Sequence, residues 1–185
     1  MDSLLNDPER FTATFDRWSP RVFSYARRQL SVNDAQDVVA DTFLVAWRRW
    51  SDVPDEPLPW LLVVARHTIA NQRRRHRRQH ELIDSAAVLE RLAGPACGAD
   101  ADVLERAALI AAVATLTEME REAVLLVAWD ALTNRDAATV AGCSQRAFEV
   151  RLSRARARLN RALADQSTDR HRSGAAHAGS KGQLT

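Results

Sequence analysis

LTEMEREAVLLVAWDALTNRDAATVAGCSQRAFEVRLSRARARL, residues 116–159, is the stretch whose pattern decides the fold. Thr117 followed three residues later by Glu120 is a capping box, so a helix is predicted from there to about Trp129. Ala123, Val124, Val127 and Ala128 are its apolar positions. Leu132-Thr133-Asn134 restarts the chain, and a short helix is predicted over 134–141. Gly142-Cys143-Ser144 follows as a turn, in which glycine accepts a positive φ most easily. Ser144 caps a long second helix that begins at Gln145. Ala138 is small enough to let the two helices approach, and Phe148 packs the second onto the first. Phe148, Leu152, Ala155, Leu159 and Leu163 repeat at helical spacing and form a buried stripe. Arg146, Glu149, Val150, Ser153 and Arg154 fall on the outer side.

This is helix-turn-helix spacing. A helix that enters the major groove needs polar groups on its outer face for base edges and phosphates. Arginine bonds guanine bidentately, glutamate accepts from cytosine, and valine touches a thymine methyl. The reading set on this helix is Gln145, Arg146, Glu149, Val150, Arg151 and Arg154. A solvated arginine face on an amphipathic hairpin is the plainer alternative. The coincidence of cap, alanine, glycine, packing residue and basic outer face favours DNA.

The N-terminal half is helical as well. Residues 8–30 read as one or two helices carrying Phe11, Phe15, Trp18, Val22, Phe23, Ala26 and Leu30, with Pro20 at a first turn or a kink. Residues 34–50 place Ala35, Val38, Val39, Thr42, Phe43, Ala46, Trp47 and Trp50 on one stripe. Asn33 is the expected cap, with Gln36 completing a capping box. Three prolines make 51–59 a loop. A further helix spans about 59–79, with Leu61, Leu62, Ala65, Ile69 and Gln72 on one face. Val63, His67 and Arg74 lie opposite, and Asn71 on the flank. His67 and Asn71, four residues apart, can reach one nucleotide together. Trp60 can stack an unpaired base, or be partly buried core. Asp34, Asp37 and Asp41 form an acidic edge beside the apolar stripe, suited to a basic partner helix or simply solvated.

Charge follows the same division. The net charge of +2 hides two basic blocks. Arg66, Arg73, Arg74, Arg75, Arg77 and Arg78 make one; Arg146, Arg151, Arg154, Arg156, Arg158 and Arg161 make the other, against only Glu149. Between them lie Glu81, Asp84, Glu90, Asp100, Asp102 and Glu105. Two basic patches separated by acid suggest a polyanion held at two points. The expected fold is all-α: two small helical domains, 1–80 and 105–165, a flexible acidic linker over 81–104, and a disordered tail over 166–185.

The chain carries no sustained strand alternation and no apolar run near membrane length, so no membrane insertion is expected. The N-terminus has no secretory pattern, and Cys97 and Cys143 form no CxxC, which fits a reducing cytoplasm. No Gly-rich phosphate loop, metal-ligand spacing or nucleophile beside a base is present. The expectation is therefore binding, with no catalysis, cofactor, metal or small-molecule substrate.

These segments, in this order, resemble the extracytoplasmic-function (ECF) sigma factors of bacterial RNA polymerase. LTEMEREAV (116–124) is similar to the family's LPxxxREVL, and RLSRARARL (151–159) to its RLxRARxxL. DAQDVVADTFLVAWR (34–48) resembles DAEDLVQETFLRAWR, and PWLLVVARH (59–67) resembles xWLxxIARN. The resemblance covers about 8–80 and 105–163. It implies that Asp34, Asp37, Asp41, Phe43 and Trp47 serve core RNA polymerase. It implies that Trp60, Val63, His67, Asn71 and Arg74 read the −10 element of promoter DNA, and that the last domain reads the −35 element. An anti-sigma factor is the expected inhibitor. His67 stands where the family often has asparagine, and Glu149-Val150 replaces a usual lysine-serine pair, so altered promoter preference is expected. A polymerase-independent helix-turn-helix regulator is the rival reading; it would be expected to dimerise on a palindrome, and no dimerisation heptad is present.

Overall fold

The computed structural model describes residues 8–77 and 103–179, with side chains at 8–74 and 107–165. Every regular element among them is helical. The N-terminal half holds α1 (Pro8–Arg27), α2 (Val32–Arg48), a 3-10 turn (Trp50–Asp52) and α3 (Leu58–Arg77). The C-terminal half holds α4 (Val103–Ala114), α5 (Glu118–Ala128), α6 (Asn134–Ala141) and α7 (Gln145–Gly179). Most of the 81–104 linker, Cys97 included, lies outside the described residues, as do 180–185.

Helices α1, α2 and α3 pack pairwise around Val22, Tyr25, Ala26, Leu30, Ala35, Val38, Ala46, Leu61, Leu62 and Ala65. An aromatic cluster closes the outer end. Phe11 meets Phe43, Trp47 and Trp50 edge-on, and Phe15 meets Phe43, with ring centroids 4.8 to 6.2 Å apart. Edge-to-face pairs of this kind add about 0.5–1.5 kcal/mol each beyond area burial.

Three local expectations are narrowed or changed. Of the one or two helices read over 8–30, a single one forms over 8–27 and continues through Pro20. Ser31, not Asn33, caps α2: its backbone is extended and its side chain accepts from the Asp34 N–H. Asn33 sits inside the first turn, because Ser31 already satisfies that amide. Third, α7 runs on to Gly179, past the expected domain end at 165 and into the stretch read as disordered. No proline interrupts it there, and its alanines, arginines and glutamine favour helix.

The helix-turn-helix follows its expected boundaries. Thr117 and Glu120 form the capping box of α5. Helix α6 spans 134–141 and ends on Gly142 at φ 66°. The Cys143 N–H reaches back to the Ala138 carbonyl at 3.1 Å, which closes the turn. Phe148, Leu152 and Ala155 are buried, and Ala147 N–H bonds the Ser144 hydroxyl at 3.3 Å.

The two halves do not stand apart. Helix α3 packs on α6, and Ala123, Leu126, Leu132, Ala137, Ala138 and Val140 join the same apolar cluster as Leu61, Leu62 and Ala65.

Candidate nucleic-acid interface

Helix α7 presents one face of its first three turns to solvent. Gln145, Arg146, Glu149 and Arg154 are exposed, as is Val150 at 45%. An exposed valine between arginines is a poor choice for a solvated face and a good one for a thymine methyl. Gln145 Nε2 donates to Glu149 Oε1 at 2.8 Å, which fixes the carboxylate direction before any base is met. Met119, Ser144, Arg146, Val150 and Arg154 line an open cleft between the start of α5 and this face. Met119 is 55% exposed, and its sequence pattern marked it only as a first-turn helix residue.

Arg151 departs from this set. It is half-buried, with its Nη1 enclosed and unbonded among the described residues. Its charge acts on Glu122, behind the reading face. It still lines the same cleft as Arg146, Val150 and Arg154, so it lies between that face and the packed side of the helix.

The capping box supports this face from below. Glu120 Oε2 accepts from the Thr117 N–H and hydroxyl, each at 3.0 Å, and from Arg158 Nη1 at 3.1 Å. The Thr117 amide bond above all, then the Thr117 hydroxyl and Arg158, holds the Glu120 carboxyl below its ordinary range against the effect of burial.

On α3 the division is equally clear. Leu61, Leu62, Ala65 and Ile69 are buried, while His67, Asn71 and Arg74 are exposed along one line. Arg74 donates to Asn71 Oδ1, leaving the amide N–H groups outward. Val63 and Trp60 are half-buried and pack against the core, so the Trp60 ring is only partly open to solvent. Beside the proline loop lies a second cleft, lined by Arg10, Arg17, Trp18, Trp50 and Pro57. Arg17 stacks on the Trp18 ring at 4.8 Å. Sequence reasoning missed Arg10 and Arg17. Their seven-residue spacing on α1 was the available signal.

Helix α2 carries the acidic edge. Asp37 and Asp41 are exposed, and Leu44, 46% exposed, continues their line at i+7 from Asp37. Asp34 is half-buried and accepts the Ser31 hydroxyl at 2.6 Å. Trp47 is half-buried. Phe43 is buried in the aromatic cluster, so it supports this face from inside and does not form part of its surface. Packing needs decide that: Phe43 is the residue on which Phe11 and Phe15 converge. Leu44 was missed because its neighbours on the stripe are apolar too.

Among the described residues no helix is long and apolar enough to cross a membrane.

Both halves of the chain are similar to known proteins. The Sigma-70 region 2 family matches residues 14–79, and the Sigma-70, region 4 family matches residues 106–159. RNA polymerase sigma factor NccH of Alcaligenes xylosoxydans xylosoxydans is 30% identical over 152 residues, covering 77% of this chain and 81% of the relative. RNA polymerase sigma factor CnrH of Cupriavidus metallidurans is 33% identical over 147 residues, covering 74% and 76%. The solved structure of CnrH with the cytosolic domain of CnrY is similar with a TM-score of 0.59 at 26% identity, over 86% of this chain and 90% of that one. ECF RNA polymerase sigma factor EcfG of Rhodopseudomonas palustris is 30% identical over 131 residues, covering 70% and 71%.

Proposed function

This chain belongs to the sigma-70 family as an ECF sigma factor, and from that premise we propose how its named surfaces direct RNA polymerase to promoters. The C-terminal half reads the −35 element as duplex. Arg146 and Glu149 address base edges, Val150 touches a methyl group, and Arg154 and Gln145 hold phosphate and register. The N-terminal half takes the −10 element as an opened strand. His67 and Asn71 address an unstacked base from the exposed line of α3, and Arg74 positions Asn71 and neutralises phosphate. Trp60 and Val63 form the apolar floor of that surface.

Asp37, Asp41 and Leu44 are the docking edge for core polymerase, with Asp34, Phe43 and Trp47 fixing the helix behind them. An acidic line flanking an exposed leucine suits a basic amphipathic partner helix. The chain acts in the cytoplasm, by binding and not by catalysis. The CnrH structure holds the cytosolic domain of CnrY; by likeness, an anti-sigma factor holds this chain inactive until a signal releases it.

The observation that carries this reading is the pairing, on one chain, of two exposed polar lines on helices whose opposite faces are buried: Arg146, Glu149, Val150 and Arg154 on α7, and His67, Asn71 and Arg74 on α3. Each module alone binds weakly, and polymerase converts them into a joint site through effective concentration. The test is holoenzyme binding to promoter fragments altered in one element at a time. Arg146→Ala is expected to lower affinity by about fivefold to a hundredfold, from about 1–3 kcal/mol per bidentate contact. It should also erase discrimination at one −35 base pair only. Asn71→Ala should weaken −10 discrimination and strand opening while leaving −35 preference intact. Equal loss on every altered fragment for both variants would contradict the assignment.

A further inference from the structure

Helix α7 carries one acid among its arginines. From Gln145 to Ala164 the charged residues are Arg146, Arg151, Arg154, Arg156, Arg158 and Arg161, against Glu149 alone. A carboxylate on a face that approaches phosphate costs affinity through repulsion. On a solvated basic face, such an acid is accommodated by an ion pair along the helix. Arg146 stands three residues before Glu149, within the reach at which those pairs form. Yet among the described residues neither Arg146 nor Glu149 enters an ion pair, and no acceptor takes the Arg146 guanidinium.

The bond that Glu149 does make is to a neutral group. Gln145 Nε2 donates to its Oε1 at 2.8 Å. Among the described residues its Oε2 accepts nothing. The base of this pair is fixed as well, because the Ser144 hydroxyl caps the helix by accepting from the Ala147 N–H at 3.3 Å. Gln145, Arg146 and Glu149 are all exposed. One carboxylate oxygen is therefore held from within the chain, and the other is left for a donor outside it. The second amide hydrogen of Gln145 stays available for phosphate.

Three residues of helix rise about 4.5 Å, and side chains at that spacing are neighbours, with Cβ atoms about 5–6 Å apart. Arg146 and Glu149 thus offer a fork of donors beside a group that only accepts. The major-groove edge of a guanine–cytosine pair is the complement of that set. Guanine N7 and O6 accept, and cytosine N4 donates beside them. An adenine–thymine pair shows the N7 acceptor, the N6 donor and then the thymine O4 acceptor. Against it the guanidinium finds no two adjacent acceptors, and the carboxylate lies beside one. A reversed guanine–cytosine pair turns the carboxylate toward guanine, where it meets acceptors only. A desolvated carboxylate without a donor costs more than a missing bond, so Glu149 excludes as strongly as it selects.

We propose that Arg146 and Glu149 together read one guanine–cytosine pair of the −35 element, Arg146 on the guanine and Glu149 on the cytosine, and that Gln145 is the positioning residue that holds the carboxylate for it. This rests on the promoter reading above and gives that reading a base identity and an orientation.

The experiment takes a promoter recovered by run-off transcription from the protein's own genome and randomises its −35 element. Holoenzyme reconstituted from core RNA polymerase and the full-length chain selects from this pool, and the bound fragments are sequenced. The wild type is expected to prefer one oriented guanine–cytosine pair about tenfold or more over its reverse and over either adenine–thymine pair. Glu149→Gln replaces a pure acceptor by an acceptor and a donor, the set that adenine N6 and N7 take. The preference at that one position is then expected to move from cytosine to adenine, with every other position unchanged. Gln145→Ala releases the carboxylate, and discrimination at the same position is expected to fall about two- to tenfold. A merely structural Gln145 would instead weaken binding to all sequences alike. A selected −35 element with no guanine–cytosine preference would overturn the inference. So would a Glu149→Gln holoenzyme that binds every fragment more tightly with its base preferences intact, since that is the behaviour of a solvated carboxylate repelled by phosphate. Those two results leave the promoter reading standing. Failure of the wild type to yield any promoter strikes the promoter reading itself, and this inference with it.

Discussion

Glu120 and Ala131 show how single residues set the stability of the helix-turn-helix. The Glu120 carboxyl is held below its ordinary range, first by the Thr117 amide. A depressed folded value gives stability that is present above the ordinary glutamate range of about 4.3 and lost as pH falls through the folded value. The melting-temperature gap between wild type and Glu120→Gln should therefore be full at neutral pH and close as the solution is acidified below that range. A gap that stays constant across that window would show that the carboxylate charge is not the source. Ala131 occupies the left-handed region at φ 52°, in the exposed turn after α5. An L-residue there costs about 1–2 kcal/mol, part of which glycine gives back through its greater unfolded freedom. Ala131→Gly is expected to raise the melting temperature by about 2–4 °C, a gain of roughly 0.5–1 kcal/mol; a fall would mean the turn relies on the methyl group. The sequence offered no sign of this strain, since Ala131 carries no turn signature.

At the scale of elements, periodicity and caps made most of the fold legible. Helices α5 and α6 and the start of α7 coincide with their expected bounds because Thr117, Gly142 and Ser144 are strong local signals. The α2 cap was misplaced because Ser31 and Asn33 both offer a capping side chain, and only backbone geometry distinguishes them. The α7 outer face was legible from spacing alone, yet Arg151 was not separable from Arg146 and Arg154. Its position between the faces follows from its half-buried side chain, whose charge acts on Glu122 of α5. Gly142 tests the turn as an element. It is left-handed, and an added Cβ would crowd Arg66. Gly142→Ala should lower the melting temperature by about 4–8 °C, from a penalty of about 1–2 kcal/mol. An unchanged melt would mean that the turn tolerates another backbone path.

Over the whole molecule, what could be read was the division into two basic helical halves; what could not was their contact. Arg28 and Asp130 are 102 residues apart, and neither belongs to a periodic stripe or a motif. Only the folded chain brings them together, across an intervening stretch that is acidic in sequence. The contact gives the molecule its character: two exposed polar lines on halves joined by an apolar seam and the buried Arg28–Asp130 pair. Its central claim is that these lines serve RNA polymerase at promoters. Run-off transcription with core polymerase on fragments of the protein's own genome, with and without the chain, tests it most directly. The account predicts new transcripts with defined start sites that appear only when the chain is added. Transcripts identical in both reactions, with no co-elution of the chain with core polymerase, would contradict it.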